Sequence, residues 1–208
     1  QRREENLQTV PIAIDIVGGE EAALRGATTI QTLSATIPNL VNTGGFYAHT
    51  YIRGVGATNG SPNNEPSAAT YVDGVYQPSS FAQYGSFNNI EHVEVLKGPQ
   101  GTLFGRNTTG GVIQIITKDP SHQFQGHGEI GYGNYDMVTS SGYMTGGLND
   151  NLAVDIAAIY ENQGIGWGTD LTTKGEIYKH RNVGVRNKWL YTPSEATKVN
   201  VTLDYTTY

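Results

Sequence analysis

The sequence of 208 residues contains no cysteine and few charged side chains. The missing cysteines exclude disulfide bonds, thiolate zinc sites and cysteine nucleophiles. Charged residues make up only 15% of the chain, and 13 Lys and Arg against 19 Asp and Glu give a formal net charge of −6. Because no Lys/Arg cluster could neutralise a phosphate backbone, we expect no nucleic-acid partner.

Long apolar runs are also missing. No stretch of about 18 apolar residues occurs, so the sequence predicts no transmembrane helix. Membrane strands alternate polar and apolar residues, and this absence therefore leaves a membrane β-barrel open. The chain begins with the polar run QRREEN, which is not a signal peptide, so we expect a processed or incompletely represented exported protein.

Motifs for catalysis and metal binding are missing as well. The five histidines are scattered, without the spacing of a metal site: His49, His92, His122, His127 and His180. No Gly-x-Ser-x-Gly elbow is present, and the glycine-containing segments 54–56 and 105–107 lack the helix that a phosphate-binding loop requires. We predict no catalytic residues, no metal site and no cofactor, and an enzyme is the least supported class of function.

The chain does contain 27 Gly and 13 Tyr, a composition that favours strands and turns. In the first half, residues 10–17 predict a strand and residues 20–25 a short helix. Thr28 or Thr29 is placed to cap a second helix. The apolar side chains of that helix recur three or four residues apart on one face: Ile30, Leu33 and Ile37.

Further along, the same half predicts a turn at residues 42–45, a strand at 47–53 and a hairpin with Asp73-Gly74 as its turn. The strongest strand patterns are the Val- and Ile-rich segments 90–96 and 112–117. The first half of the chain therefore mixes short helical and strand signals.

From about residue 123 onward one pattern repeats, namely alternating residues followed by a turn. Three segments place apolar side chains on one face: Leu152, Val154, Ile156, Ala158 and Tyr160; Val183, Val185, Trp189 and Tyr191; and Val199, Val201, Leu203 and Tyr205. A water-exposed antiparallel sheet with one solvated face fits each segment equally well. Short and long connections alternate, however, which favours strands of a membrane barrel.

Residues 93–118 form the most informative segment, VEVLKGPQGTLFGRNTTGGVIQIITK. It predicts a strand, a glycine-punctuated loop and a second strand. The segment closely resembles the signature of the plug domains of TonB-dependent outer-membrane receptors. Ordered matches extend the resemblance across nearly the whole chain: ENLQTVPIAI at 5–14, YIRGVG at 51–56, EPSAATYVDGVY at 65–76 and GYGNYD at 131–136.

The resemblance implies an α+β plug domain, built on a small mixed sheet and filling a transmembrane antiparallel β-barrel of about 22 strands. We assign residues 1–120 to the plug domain and residues 121–208 to the N-terminal strands of the barrel. About five strands can be recognised, too few to close such a pore, and the coupling box for TonB would lie before Gln1. We therefore expect the chain to be a fragment of a longer receptor.

The resemblance also implies a function. We expect TonB-dependent active transport of a scarce ligand across the outer membrane of a Gram-negative bacterium, with the plug gating the pore. A ferric siderophore is the expected ligand, and vitamin B12 or a saccharide are alternatives within the family. TonB and outer-membrane lipid are the other expected partners. A soluble β-rich binding or interaction module is the alternative from a different class.

Four charged residues are candidates for a lock between plug and barrel. In the family, basic residues at the positions of Arg53 and Lys97 pair with barrel carboxylates and hold the plug in place. We assign Glu94 and Arg106 to the same polar network. The alternative is that these are ordinary exposed charges, each worth under about 1 kcal/mol.

The second group of candidates would contact the ligand at the plug apex. Aromatic rings and amides there are suited to stacking on, and hydrogen bonding with, a chelate. The candidates are Asn59, Asn63, Asn64, Tyr76, Gln77, Phe81 and Tyr84. A flexible polar loop without a ligand role is the alternative for each of them.

Overall fold

The structure is a computed structural model that describes residues 13–27, 29–43, 49–56, 66–78 and 89–207. The chain divides into two compact units, Gln1–Thr117 and Lys118–Tyr208. The assignment of residues 1–120 to the plug domain and of residues 121–208 to strands of the barrel stays a prediction.

The described part of the first unit contains short helices and strands. In chain order they are β1 (Ala13–Gly18), α1 (Gly19–Leu24), α2 (Ile30–Ser34), β2 (Leu40–Asn42), β3 (Thr50–Ile52), β4 (Ala68–Val72), β5 (Val75–Gln77), β6 (Ile90–Lys97), α3 (Gly101–Phe104) and β7 (Gly111–Thr117).

Five strands of this unit form one mixed sheet in the order β1-β6-β7-β4-β5. β4 and β7 run parallel, and the other neighbours are antiparallel. β2 and β3 pair separately as a short antiparallel ladder. The small mixed sheet with its short helices confirms the predicted α+β fold of this part of the chain.

The core of the first unit joins side chains from both helices that precede β2 to side chains from the sheet. α2 begins at the capping box of Thr29 and Thr32, in which the Thr29 hydroxyl accepts from the Thr32 amide at 3.2 Å. Its apolar face buries Ile30 and Leu33 completely, and Ile37 follows just beyond the helix. Burial stabilises each of these side chains by about 1.5–3 kcal/mol. The predicted face is confirmed, and Thr29 rather than Thr28 is the cap.

The second unit is an antiparallel meander, in which long strands that follow one another in the chain lie side by side and are joined by turns. Its elements are β8 (Gln125–Gly133), a 3₁₀ turn (Asn134–Asp136), β9 (Met137–Asn149), β10 (Leu152–Gln163), β11 (Gly168–Thr169), β12 (Glu176–Ile177), β13 (Arg181–Ser194) and β14 (Thr197–Thr207). The long strands lie in the order β14-β13-β10-β9-β8, and β11 and β12 form a separate small hairpin.

The two faces of this meander have an unusual distribution of polarity. On the apolar face, Trp189 is 39% exposed and Tyr205 is 66% exposed. On the opposite face, Asp155 and Lys188 are each only 2% exposed and Asn182 is fully buried. A sheet in water normally hides its apolar face and exposes its polar face. The reverse arrangement is the one expected of strands whose outer face meets lipid.

The connections between the long strands alternate in length. The turns at 150–151 and 195–196 are each two residues long and lie at one end of the meander. The connection from β10 to β13, residues 164–180, lies at the other end and contains the small hairpin. Short turns at one end and longer loops at the other are typical of outer-membrane barrels.

Two local predictions differ from the structure. Asn42 was predicted to begin a turn, but it is the last residue of β2, where Val41 pairs with Tyr51 of β3. The glycine-punctuated loop contains α3, a single helical turn closed by the Phe104 amide donating to the Gln100 carbonyl at 3.0 Å. Both elements are too short to produce a periodic pattern. Among the described residues, no helix is both long and apolar enough to cross a membrane.

Candidate functional site

The loop between β6 and β7, residues 98–110, is the centre of the candidate site; we call it the signature loop. Its two ends are joined by backbone hydrogen bonds, from Gly98 N to Gly110 O at 3.0 Å and from Gln100 N to Thr108 O at 2.9 Å. Thr108 is buried, and its hydroxyl donates to the Gly105 carbonyl at 2.7 Å. The loop is therefore closed on itself by its own backbone.

Glycines at the end of the signature loop let other backbone segments approach closely. A Cβ at Gly111 would collide with the Leu96 carbonyl oxygen, and its φ of 146° suits glycine alone. A Cβ at Gly110 would lie 2.7 Å from the Val55 carbonyl oxygen. The Gly110 amide also donates to the Ser67 carbonyl at 2.9 Å. The loop thus packs against the segments after β3 and before β4 without room for side chains.

The β4–β5 hairpin is fastened to the end of β7. Its turn residues Asp73 and Gly74 have φ angles of 47° and 81°, so the predicted Asp-Gly turn is confirmed. The Asp73 carboxylate accepts from the Thr117 amide at 2.8 Å and from the Thr117 hydroxyl at 2.7 Å. This carboxylate ties together elements that are far apart in sequence.

An aromatic cluster joins the hairpin to the signature loop. The Tyr71 hydroxyl donates to the Phe104 carbonyl at 2.7 Å, and the two rings meet edge to face at 5.3 Å. Tyr76, a predicted ligand contact, packs 5.5 Å from the Tyr71 ring, and its hydroxyl accepts from the Asn107 amide at 3.0 Å. Gln77 donates locally to the Val75 carbonyl at 3.4 Å. Ligand roles for Tyr76 and Gln77 stay predictions.

The four residues predicted to form the lock lie in different places. The buried Lys97 ammonium contacts the Asp15 carboxylate on the edge strand β1. Glu94 accepts from the Gln114 amide at 2.9 Å. Arg53 is exposed in the turn after β3 with a φ of 52°, and Arg106 is exposed in the signature loop. Pairing of these residues with barrel carboxylates stays a prediction.

Most predicted ligand contacts lie outside the described residues. These are Asn59, Asn63, Asn64, Phe81 and Tyr84. No group of three or more His, Cys, Asp or Glu that could hold a metal ion occurs in the described part of the chain.

The long connection of the second unit, residues 164–180, carries a feature that no sequence pattern predicts. We call this connection the outer hairpin. Trp167 and Tyr178 stack at 4.1 Å between ring centroids and 13° between ring planes, and both are more than half exposed. A Cβ at Gly168 would lie 2.7 Å from the Tyr178 ring, so glycine is needed for this packing. The signal available in the sequence was a Trp and a Tyr flanking a Gly- and Asp-containing turn.

The turn of the outer hairpin is organised by an exposed carboxylate. Asp170 accepts from the Thr172 amide at 2.7 Å and from the Thr173 amide at 2.8 Å. These backbone hydrogen bonds, with that of Thr173 the largest influence, lower the pKa of Asp170. The hydrogen bond from Lys179 similarly lowers the pKa of Glu176 in β12. The hairpin is therefore ordered by its own polar groups.

The base of the outer hairpin contains a titratable pair. His180 Nε2 lies 3.5 Å from Glu161 Oε2, and the Asn182 amide donates to the same oxygen at 3.0 Å. The hydrogen bond to Glu161 raises the pKa of His180, and burial opposes this effect. Protonation of His180 therefore strengthens the closure of the hairpin base.

A compact mixed domain with a glycine-rich loop, followed in the chain by antiparallel strands whose apolar face is exposed, is the succession expected of outer-membrane receptors with a plug domain. The family model described as TonB-dependent Receptor Plug Domain matches residues 6–112. The chain belongs to this family, which confirms the predicted relationship. The predicted location in the outer membrane of a Gram-negative bacterium is likewise confirmed by its relatives.

Two curated relatives illustrate the similarity. The pesticin receptor of Yersinia pestis is 32% identical over 144 residues, which cover 68% of this chain and 21% of the relative. The ferripyoverdine receptor of Pseudomonas aeruginosa is 34% identical over 101 residues, covering 49% of this chain and 12% of the relative. The chain thus spans about a fifth or less of the length of these two proteins. Both are receptors by name.

Solved structures show the same fold. The ferric yersiniabactin uptake receptor of Yersinia pestis superimposes with a TM-score of 0.86 at 24% identity, covering 94% of this chain and 31% of that structure. The pyoverdine outer membrane receptor of Pseudomonas aeruginosa superimposes with a TM-score of 0.75 at 23% identity, covering 95% of this chain and 28% of that structure. The predicted succession of plug and antiparallel barrel strands is confirmed.

Proposed function

We propose that this protein takes part in energy-coupled import of a ferric siderophore across the outer membrane, with its plug gating the pore. The observation that carries the proposal is a plug-family domain followed directly by strands whose apolar face is exposed. TonB is the coupling partner that we propose. The chain carries out no catalysis of its own in this proposal.

The ligand class is supported by the names of several relatives. They include a ferripyoverdine receptor, a ferrichrome outer membrane transporter of Escherichia coli and a ferrioxamine B receptor of Salmonella typhimurium. Their ligands differ in structure but share a chelated ferric ion. We therefore propose that the ligand is a ferric chelate. Uptake assays with different chelators identify the class of chelator.

The test is uptake of radioactive iron by iron-starved cells that depend on this receptor. Ferric hydroxamate, catecholate and phenolate chelates are offered separately, with labelled vitamin B12 and a labelled maltooligosaccharide as competing ligand classes. We expect uptake of at least one ferric chelate, and loss of that uptake in a TonB-deficient strain. Uptake of vitamin B12 or the saccharide alone would contradict the siderophore assignment, and TonB-independent uptake would contradict energy coupling.

The alternative of a soluble β-rich module makes an opposite prediction. It requires residues 121–208 to remain monomeric in water, although their apolar face is exposed. We expect this segment to aggregate in buffer and to be dispersed by detergent. A monomeric, folded segment in buffer alone would favour the soluble module.

A further inference from the structure

The chain between β7 and β8, residues 118–124, is held against the strands of the second unit; we call it the linker. It belongs to that unit and forms the covalent connection from the last strand of the plug to the first strand of the meander. Its contacts are with β9, β13 and β14, so it crosses the polar face of the sheet. Pro120 in its middle is buried.

Asp119 is the charged group that attaches the linker. Its carboxylate lies 2.8 Å from the Lys198 ammonium on β14 and 3.6 Å from the Lys188 ammonium on β13. The Asn200 amide donates to it at 3.5 Å. Burial acts to raise the pKa of Asp119, but the hydrogen bond and charge of Lys198 and the charge of Lys188 outweigh it and lower the pKa. The carboxylate is therefore better stabilised in its charged form here than in water.

Lys188 makes this attachment more than a surface ion pair. Its side chain is only 3% exposed, whereas that of Lys198 is 57% exposed. A buried ammonium requires oppositely charged or polar partners, because the loss of its hydration is costly. Asp119 supplies one such partner from the linker. The Asp119 carboxylate therefore offsets part of the cost of burying the Lys188 ammonium in β13.

Contacts with β9 hold Ser121 and His122 of the linker. The Ser121 amide donates to the Thr145 hydroxyl at 2.8 Å. The Gly147 amide donates to the His122 carbonyl at 3.1 Å. A Cβ at Gly147 would lie 2.9 Å from His122 Nδ1, so β9 has a glycine where the linker approaches most closely. These contacts do not involve Asp119, and they attach the linker to the same sheet.

We propose that Asp119 is a fixed anchor that keeps the linker on the strands of the meander while the plug changes conformation. Opening of the pore then involves residues before Asp119, and the linker does not leave with them. The inference rests on the proposed uptake function, and it assigns Asp119 a positioning role in gating. For the linker to leave the sheet, the contacts of Asp119 with β13 and β14 and the contacts of Ser121 and His122 with β9 would all have to break.

Hydrogen exchange tests the attachment without any ligand. In the receptor as the bacterium makes it, purified in detergent, Asp119→Asn is expected to speed exchange at the Ser121 and Gly147 amides about tenfold, the change that one charge-assisted hydrogen bond produces. Asp150→Asn removes the same charge from an exposed turn of the same unit and is expected to leave both amides unchanged. Unchanged exchange in Asp119→Asn would overturn the anchor.

A second variant separates anchoring from the burial of charge. Asp119→Asn removes one carboxylate partner of Lys188. This loss destabilises the meander for a reason unrelated to the linker. In the double variant Asp119→Asn/Lys188→Met, the buried ammonium is gone, and the melting temperature is expected to equal that of Lys188→Met alone, which includes the loss of the Lys188 charge beside Asp155. Exchange at the Ser121 and Gly147 amides is expected to stay about tenfold faster than in the parent. Exchange of these two amides at the parent rate in the double variant would overturn the anchoring role.

Crosslinking tests whether the anchor is stationary during uptake. The chain has no cysteine, so Asp119→Cys/Lys198→Cys can be joined by a short bis-thiosulfonate reagent. In the crosslinked variant the bridge takes the place of the ion pair, and uptake of the ferric chelate identified above is expected to stay within about twofold of the parent uptake. A loss of uptake with retained binding would overturn the proposal. If the parent receptor imports no ferric chelate, the proposed function fails, and the exchange result decides on the attachment alone.

Discussion

Asp73 provides the sharpest test of how the plug is held together. Its carboxylate accepts two hydrogen bonds from Thr117, at 2.8 and 2.7 Å, in a part-buried position. Hydrogen bonds to a charged group contribute about 1.5–3 kcal/mol each. Asp73→Ala should therefore lower the free energy of local opening at the end of β7 by about 3 kcal/mol. That change corresponds to roughly 100-fold faster exchange of the Thr117 amide.

The control for this prediction is Asp73→Asn. Asparagine also tolerates the φ of 47° and keeps an acceptor for the Thr117 amide. Its exchange should therefore rise by less than about tenfold. The assay is hydrogen exchange followed by mass spectrometry on the receptor in detergent. If Asp73→Ala exchanges at the parent rate, the hairpin is not fastened by this carboxylate and the account of the plug is wrong.

Three further changes test other parts of the molecule. Gly111→Ala should destabilise the plug by at least about 3 kcal/mol and make the plug sensitive to protease. Gly101→Ala should leave both properties unchanged, because an added Cβ at Gly101 has no atom within 4 Å. The raised pKa of His180 means that its contact with Glu161 stabilises the outer hairpin fully at a pH below the ordinary pKa of 6.5, and that this stabilisation is lost as the pH rises through the raised pKa. The protection factors of the hairpin amides, which correct for the intrinsic rise of exchange with pH, should therefore fall over that range. His180→Gln should remove this fall. Gly168→Ala should separate the stacked Trp–Tyr pair and weaken its near-ultraviolet circular dichroism, and an unchanged spectrum would contradict the packing.

Local sequence signals were sufficient where an element carries its own pattern. The Val and Ile runs predicted β6 and β7, and the Asp-Gly pair predicted the β4–β5 turn. Alternation along β10, β13 and β14 separated the two faces that the structure has. These features depend on neighbours within a few residues, so they can be recognised without knowledge of the tertiary fold.

Pairings between distant segments could not be predicted in this way. The contact between Lys97 and Asp15 depends on the register of β1 against β6, about 80 residues apart in sequence. Tyr76 is held by Asn107, which belongs to the signature loop. The type of a loop residue indicates which groups it can bind. The packing of other segments determines which of those groups lies within reach. The predicted lock and apex residues are therefore the least determined part of the candidate site.

Spin labels along β14 test most directly whether the apolar face of the meander meets lipid. Single cysteines replace each residue from 198 to 205 in the otherwise cysteine-free chain, and collision with oxygen is compared with collision with a water-soluble nickel chelate in membranes. Lipid dissolves oxygen and excludes the chelate. We predict that positions 199, 201, 203 and 205 favour oxygen and that the alternate positions do not, with a period of two residues. Equal access of the nickel chelate to both sets of positions would contradict the claim.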